Sequence, residues 1–432
     1  TRYSLQSRGL GDVYKRQLIA DPDVDVVVEL IGGVDTALSL VRGALEAGKS
    51  VVTANKALLA LHGNELSELA RRQDAALCFE AAVAGGIPII GAINRSLAGN
   101  QIRSLAGIIN GTGNFILTAM ANDGASFVDA LAEAQALGYA EADPTFDVEG
   151  IDAAHKLTIL VALAFGTGYR FEEVYTEGIS AVTPEDIEYA RQLGYRLKHL
   201  GIARLSPDGI EARVHPALVP QGQLLANIDG VMNAVFVNSE AAGDTLYYGA
   251  GAGALPTASA VVGDIMDVAM GGGRPQGGRP PGDVGGDRLD LLPIERARCG
   301  YFLKIPALDV PGVFARIATI LRDHGISIEA VIQHEHALHQ ERRVASGEAH
   351  DRQAAQGALD LANRAGQLLQ VARCVVRPLL EDLEAAEQDG RRVPPHHPDH
   401  LAQGRGQGVV GEPLALGRAV RVVAALDPAH HG

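Results

Sequence analysis

Ionisable side chains of both signs crowd one turn and the start of an apolar helix in residues 138–156, GYAEADPTFDVEGIDAAHK. Glu141, Asp143 and Asp147 precede the helix, and Asp152 and Lys156 lie inside it. Proton transfer in enzymes needs donors and acceptors that are held close together. A lysine among several carboxylates therefore favours a functional interpretation of this segment, and proton transfer is a chemistry that such groups can perform.

The segment after Gly150 is apolar nearly all round, a pattern that predicts a helix buried in a core. Asp152 and Lys156, four residues apart, share one helix face. Unpaired charges in such a helix cost several kcal/mol each, which favours a functional interpretation. The structural alternative is a carboxylate at the helix start, favoured by the helix dipole and bridged to Lys156. Glu141, Asp143 and Asp147, which precede the pair, place more negative charge beside the lysine than such a bridge requires.

Elements of an α/β fold must position these residues. The β-branched runs DVDVVVELIG and KSVVTA alternate with the helical stretches TALSLVRGALEA and GNELSELARRQ, and this alternation predicts a parallel sheet. LCFEAAV predicts a further strand, GGIPIIGAINRSLAG a helix, and IRSLAGIIN a strand that leads through GTGN into another helix. Strand-rich sequence in residues 195–250 predicts a second sheet.

The acidic cluster within GYAEADPTFDVEGIDAAHKLTIL resembles the signature of the homoserine dehydrogenase family. The resemblance continues through VVELIGG, VVTANKALLA, FEAAVAGGIPII, GIINGTGNFILTAM and YYGAGAGALPTASAVVGDI, and covers about residues 18–269. It implies NAD(P)H-dependent interconversion of L-aspartate 4-semialdehyde and L-homoserine, within threonine, methionine and isoleucine biosynthesis. The alternative is a non-catalytic relic that binds an amino acid or oligomerises.

Each part of the predicted site follows from this resemblance. It implies that Lys156 donates and accepts the proton, with Lys56 as the competing candidate, and that Glu141, Asp147 and Asp152 bind the substrate. His155 is expected to be packed or solvated rather than catalytic. NADP or NAD is the implied cofactor, with binding residues Gly32, Gly33, Thr53, Lys56, Gly138 and Gly253.

A monovalent cation, sodium, is also implied. The segment FEAAVAGGIPII has a glycine-rich turn that could free backbone carbonyls, and carbonyl oxygens are suitable ligands for a hard cation. The alternative is a plain turn between a strand and a helix. The implied ligands are Glu80, Val83, Gly85 and Ile87.

The expected G-x-G-x-x-G fingerprint of a dinucleotide-binding fold does not precede the first strand. Gly9 and Gly11 offer only a G-x-G without an apolar strand before it. We therefore expect residues 1–17 to be foreign or unstructured sequence, joined to a domain that lacks its first βαβ unit. This expectation is the basis of the non-catalytic alternative.

The final third changes in composition. MGGGRPQGGRPPGDVGG has no periodicity and predicts a linker or disorder. YFLKIPALDVPGVFARIATILRDHGISIEAVIQHE then predicts strand, loop, helix and strand, and resembles the opening of an ACT domain, which implies threonine as an effector. We hypothesise that a shifted reading frame produced residues 270–298 and 336–432, which translation of the coding sequence in all frames would test.

The predicted fold class is α/β: an incomplete Rossmann-type nucleotide-binding domain, an α+β catalytic and dimerisation domain with a mixed sheet, and a partial ACT-like segment. The predicted boundaries are 1–17 foreign, 18–98 nucleotide-binding, 99–248 substrate and dimerisation, 249–269 returning helix, 270–298 linker, 299–335 ACT-like and 336–432 disordered.

Composition excludes several classes of partner. The formal net charge of -15 and the pI near 5.4 argue against nucleic acid and anionic membranes. No apolar run reaches the length of a membrane span. The three scattered cysteines predict neither a disulfide framework nor a thiolate metal site, and indicate a reducing, cytoplasmic location. The resemblance implies a homodimer or homotetramer.

Overall fold

The computed structural model describes residues 17–271, 289–297, 299–309, 312–323, 325–336, 373–375 and 418–428. The chain forms two compact units, residues 1–297 and 298–432. The expected foreign N-terminus, most of the expected linker and most of the expected disordered tail lie outside the described residues. No helix within these ranges is long and apolar enough to cross a membrane.

The first unit begins with a parallel sheet of order β1-β2-β3, as the alternation of strands and helices predicted. Its apolar core contains Val27 and Val51 from the sheet and the buried faces of the flanking helices. The elements are α1, described over 17–20, β1 Val26–Glu29, α2 Asp35–Glu46, β2 Ser50–Thr53, α3 Lys56–Arg72 and β3 Leu77–Cys78.

The segment after β3 differs from the prediction of a strand through residue 83 and a helix over 85–99. The strand ends at Cys78, and a 3-10 turn, a short helix α4 (Ile89–Gly91) and a π-helical turn follow. Both Glu80 carboxylate oxygens accept backbone N–H bonds, from Ile90 and Gly91. The chain reverses at Ala84 and Gly85, whose φ values of 54° and 47° fit neither a strand nor a helix.

A second, mixed sheet of order β5-β7-β6-β4-β8-β9 follows, in agreement with the prediction. Neighbouring strands are antiparallel except β5, which runs parallel to β7. The strands are β4 Ile102–Ile108, β5 Tyr175–Thr176, β6 Tyr195–Ser206, β7 Gly209–Pro220, β8 Met232–Ser239 and β9 Gly243–Ala250.

Five helices accompany this sheet in the described part of the first unit, and a sixth, α10, packs instead against β2 and the 3-10 turn after β3. Helix α8 is buried over its whole length except at Ile151 and Leu163, as its apolar pattern predicted, and it packs against α3, β6 and β7. The helices are α5 Gly111–Asp123, α6 Phe127–Ala136, α7 Thr145–Val148, α8 Ile151–Phe165, α9 Pro184–Gln192 and α10 Ala254–Ala269.

Residues 289–297 correct the predicted linker, because they pack on the first unit. Leu291 is 8% exposed and belongs to the main apolar core. The Ile210 N–H donates to the Asp290 carbonyl, and the Leu292 N–H donates to the Ile210 carbonyl. Two apolar residues in this segment thus continue the fold beyond the Gly/Pro/Arg run.

The second unit contains an antiparallel sheet of order β11-β13-β10-β12. Strand β10 (Gly300–Asp309), helix α11 (Val313–Asp323) and strand β11 (Ile326–His336) follow the predicted order. Strands β12 (Arg373–Val375) and β13 (Arg418–Pro428) correct the prediction that residues 336–432 are disordered.

Strand β13 shows why that prediction was wrong. Its sequence is rich in valine and alanine, and the strand pairs on both sides, with β10 and with β11. The prediction had taken the surrounding composition as its guide and missed this short apolar run. Cys299 is disulfide-bonded, a pairing that the scattered cysteines did not predict.

Candidate active site

Asp152 lies at the centre of the charged cluster, in the first turn of α8. Its side chain is 5% exposed, and its Oδ2 atom lies 2.7 Å from the Lys156 ammonium nitrogen. Its Oδ1 atom lies 3.1 Å from the Lys56 ammonium nitrogen, at the start of α3. The packing of α3 against α8 thus joins one carboxylate to both candidate proton-transfer lysines.

The two lysines keep Asp152 ionised. Burial alone would raise the pKa of Asp152, but the charges of Lys156 and Lys56 and the hydrogen bonds to its oxygens lower that pKa to about 2. The carboxylate is therefore negative at any pH at which an enzyme works. It supplies a fixed charge, and the lysines are the groups left to move a proton.

Asn110 links this carboxylate to a second one. Its side-chain nitrogen donates to Asp152 at 2.9 Å and to Asp147 at 2.7 Å, and its side-chain oxygen accepts from the Gly113 N–H at the start of α5. Sequence reasoning missed Asn110. The sequence feature that could have identified it is its position directly before a predicted helix, because asparagine is a preferred N-cap residue.

Asp147 is half-buried in α7, at the side of the cluster. Burial raises its pKa, and the neighbouring Asp152 charge raises it further, whereas the hydrogen bond from Asn110 lowers it. Asp147 is thus the carboxylate of this pair that protonates more easily. Its partial exposure leaves one side of it accessible to a ligand.

Glu141 and Gly138 lie apart from this hydrogen-bonded cluster, in the exposed turn between α6 and α7. The Glu141 backbone carbonyl accepts a hydrogen bond from Gln135, and Gly138 has a φ of 75° that closes the turn after α6. Within the described residues no hydrogen bond joins the Glu141 carboxylate to Asp152 or Asp147. The structure therefore brings together four of the five predicted catalytic and substrate-binding residues.

The carboxyl ends of the parallel strands β1 and β2 lie at one edge of the sheet, the position at which open α/β sheets bind nucleotides. Gly32 and Gly33, with φ values of 75° and 70°, have open space where a side chain would stand. Thr53 is fully buried and donates from its hydroxyl to the Glu29 carboxylate at 2.7 Å. Two open glycines beside a rigid, buried polar pair fit the close approach of a dinucleotide backbone.

Glu29, which sequence reasoning did not select, and Asn55, which precedes Lys56 in the predicted site, shape this edge. The Glu29 carboxylate accepts from the Ile31 and Gly32 N–H groups and so fixes the turn after β1. Asn55 donates to the Gly33 carbonyl and caps α3 directly before Lys56. A buried acid inside the apolar run VVVELIGG was the available signal.

Gly253 precedes α10 with a φ of 119°, a conformation that favours glycine. The chain before it is closely packed: a side chain on Gly251 would lie 2.0 Å from the Asn233 amide nitrogen. Gly85 in turn faces the Gly251 carbonyl, which a side chain on Gly85 would approach to 2.6 Å. The glycines of residues 85 and 251 thus permit contact between two chain segments.

The predicted cation ligands lie around this contact. The Val83 and Gly85 carbonyls accept no hydrogen bond within the described residues, whereas the Ile87 carbonyl accepts one from Ile89. The Glu80 carboxylate is occupied by the Ile90 and Gly91 N–H groups, and burial raises its pKa. Free carbonyls are therefore present, but Glu80 already has partners.

The fold and the site together define a nicotinamide-dependent oxidoreductase. Family models for the homoserine dehydrogenase NAD-binding domain, for homoserine dehydrogenase and for the ACT domain match residues 14–80, 88–266 and 301–373. The chain belongs to the homoserine dehydrogenase family. The ACT match extends past residue 335, where the sequence-based boundary had ended that domain.

Several relatives support this assignment. A homoserine dehydrogenase of Pseudomonas aeruginosa is 58% identical over 319 residues, which cover 73% of this chain and 74% of the relative. The crystal structure of a homoserine dehydrogenase from Thiobacillus denitrificans matches with a TM-score of 0.71 and 55% identity, over 74% of this chain and 75% of that chain. A hyperthermophilic archaeal homoserine dehydrogenase in complex with NADPH matches with a TM-score of 0.52 and 31% identity, over 60% of this chain and 75% of that chain.

Proposed function

We propose that this chain catalyses the interconversion of L-aspartate 4-semialdehyde and L-homoserine with NADP or NAD. The observation that carries the proposal is Asp152, buried between Lys56 and Lys156 and tied through Asn110 to Asp147. Such a cluster offers carboxylates for an ammonium ion and two lysines for proton transfer. Nothing in the comparisons favours the non-catalytic alternative.

The carboxylates bind the amino-acid end of the substrate. Asp147 is half-buried and has an accessible side, so it suits the substrate ammonium. Asp152 is held by both lysines and sets the charge of the pocket. Glu141 contributes from the exposed turn when that turn approaches the bound substrate.

Lys156 transfers the proton. Its ammonium group has three N–H bonds, and two of them are used within the described residues, on the Ile109 carbonyl at 2.8 Å and on Asp152. One N–H bond remains for the substrate oxygen, in a fixed direction. Lys56 is a third exposed, and its ammonium forms one ion pair within the described residues, with Asp152, so it is the less constrained candidate for the same role.

The residues at the strand ends bind the dinucleotide. Gly32 and Gly33 leave room for its backbone, and Thr53 keeps the turn in place through Glu29. Gly138 and Gly253, which have positive φ values, are assigned to the cofactor on the resemblance to the family. The nicotinamide, when bound, supplies or accepts the hydride. The protein contributes position and electrostatics.

Further properties belong to the same proposal. The free carbonyls of Val83 and Gly85 support a sodium ion near Glu80 and Ile87. The ACT match supports threonine as an effector. We also propose that the enzyme is a homodimer or a homotetramer and that it is located in the cytoplasm.

Turnover tests this function directly. The purified chain is mixed with L-homoserine and NADP or NAD, and the absorbance of reduced nicotinamide is followed. We expect formation of reduced cofactor with the unaltered chain and a large loss with Lys156→Met. Binding of homoserine without any turnover would overturn the proposal and support the non-catalytic alternative.

A further inference from the structure

His155 occupies an aromatic clamp beside the charged cluster. Its ring centroid lies 4.4 Å from that of Phe171 and 5.3 Å from that of Phe146, with interplanar angles of 53° and 56°. Tilted contacts at these separations are favourable for aromatic rings. His155 is 5% exposed, and its Nδ1 atom is buried without a hydrogen-bond partner in the described residues.

The clamp joins elements that carry the site. His155 lies on α8, three residues after Asp152 and next to Lys156. Phe146 lies on α7, directly before Asp147, and it is 41% exposed. Phe171 packs against the main apolar core, so it anchors the far side of the imidazole. The ring therefore connects the short helix of Asp147 to the buried helix of Asp152.

Short helices such as α7, with four residues, have little stability of their own. Four backbone bonds form within residues 144–150, and one bond joins this segment to a distant part of the chain, from the Ile179 N–H to the Val148 carbonyl. The bond from Asn110 holds the Asp147 carboxylate itself. The Phe146 contact with His155 is the aromatic anchor of the same helix.

The imidazole is neutral in this place. Burial lowers the pKa of His155 to about 4, while the Asp152 charge raises it and the Lys56 charge lowers it. A neutral ring adds no third cation beside Asp152. His155 can therefore pack against the site without competing with the two lysines.

We propose that His155 is a positioning residue, whose ring, clamped between Phe146 and Phe171, holds α7 so that Asp147 meets the substrate ammonium. The effect on substrate affinity rests on the proposed function, whereas the effect on α7 does not. The side chain acts by shape and contact. Its nitrogen atoms take no part.

Hydrogen exchange of the ligand-free chain tests the clamp. His155→Ala removes both ring contacts and should raise the exchange of the amides in residues 145–149 at least severalfold. His155→Phe keeps an aromatic ring and should leave that exchange close to the parent. Leu160→Ala is the matched control, because it opens a cavity in the main apolar core five residues further along α8.

Kinetics test the link to the substrate. His155→Ala should raise KM for homoserine about tenfold with kcat changed much less, and His155→Phe should restore KM to within about threefold. The control Leu160→Ala should lower Tm without this change in KM. If His155→Ala does not fold, Phe171→Leu replaces it in both measurements, because this change removes the ring contact on the other side of His155.

The outcomes separate the two proposals. Unchanged exchange in His155→Ala, or exchange raised equally in His155→Phe, overturns the clamp. Raised exchange with an unchanged KM overturns its role in substrate binding. A parent chain that binds and turns over no homoserine overturns the proposed function, while the exchange result still decides whether the clamp exists.

Discussion

Two clusters of buried charge in this protein have opposite characters. In the first, Asp152 meets Lys56 and Lys156; in the second, on β6 and β7, Glu211 meets Arg204 and Arg213. Each carboxylate is almost fully buried and has a cation on each oxygen. By composition alone, both would qualify as candidate sites.

Their surroundings distinguish them. In the second cluster the Arg204 side chain is 22% exposed, whereas the Arg213 side chain is 2% exposed and also donates to His215, whose pKa burial lowers to about 3. In the first cluster the Lys56 side chain is 33% exposed, and the half-buried Asp147 lies beside it. An ion pair such as Glu211 with Arg213, in which both side chains are sealed from solvent, stabilises or specifies the fold, whereas a pair beside a half-buried carboxylate such as Asp147 can admit a substrate. Access is therefore a better sign of function than buried charge.

The distinction between a functional and a structural cluster would be wrong if Lys156 could be replaced without loss of activity. Lys156→Met should lower kcat at least about 100-fold, because general acid–base groups contribute roughly 10²–10⁴-fold. Lys49→Met is the matched control, since Lys49 is also buried and donates to the Asp21 and Val24 carbonyls. Steady-state kinetics on both folded variants would measure the difference, and equal kcat values would contradict the assignment.

The sealed cluster should respond in stability instead. Arg213→Met leaves Glu211 buried with one cation fewer, so the free energy of unfolding should fall by about 3–5 kcal/mol. The double variant Arg213→Met with Glu211→Gln should recover part of this loss. Urea unfolding measures both, and kcat of the folded fraction should stay close to the parent. A variant with full stability but low kcat would reverse the roles of the two clusters.

The pH dependence of stability should reveal the Asp152 charge. Its pKa is lowered to about 2 from an ordinary 3.8, so its contribution to stability is complete above about pH 4 and disappears as the pH falls towards 2. The difference in unfolding free energy between the parent and Asp152→Asn should shrink over this range. Urea unfolding at several pH values checks it, with Asp123→Asn, at the exposed end of α5, as control. A constant difference would mean that the pKa of Asp152 is the same in the folded and the unfolded chain, so that its two lysines do not favour its charged form.

A smaller effect is expected at Asn233, a buried polar group of a third kind. Both polar atoms of its side chain lack a partner in the described residues, and the residue is 1% exposed. Asn233→Leu should raise the free energy of unfolding by about 1 kcal/mol, because it removes an unsatisfied amide. Asn114→Leu should lower it, since Asn114 donates to the Ile228, Gly230 and Met232 carbonyls. Thermal unfolding of both variants would show the opposite signs.

Local sequence pattern predicted the strands and helices that have clear periodicity, including α8 and both sheets. It placed Asp152 and Lys156 on one helix face, because that relation depends only on a spacing of four residues. It could not find Asn110 or Glu29, whose partners lie 37, 42 and 24 residues away along the chain. Hydrogen bonds across such separations depend on the packing of elements, which a local pattern does not contain.

Composition and local pattern gave a wrong secondary structure in two places. Leu291 belongs to a short apolar segment that directly follows a Gly/Pro/Arg run, and its burial depends on pairing with the distant Ile210. The turn after β3 was mistaken for a strand, because the Glu80 bonds to α4 and the positive φ of Ala84 are invisible in an apolar run. Tertiary contacts decided both cases.

The bonds of Asn110 have a consequence for the chemical ageing of the protein. Asparagine followed by glycine, as in Asn110–Gly111, is a pair prone to deamidation, because glycine lets the next backbone nitrogen reach the side-chain carbonyl. In the fold, both ends of the Asn110 amide are held by hydrogen bonds. Deamidation would replace two donors by a third carboxylate against Asp147 and Asp152. Deamidation requires these hydrogen bonds to break, so its rate during storage or heating depends on how often the first turn of α5 unfolds locally.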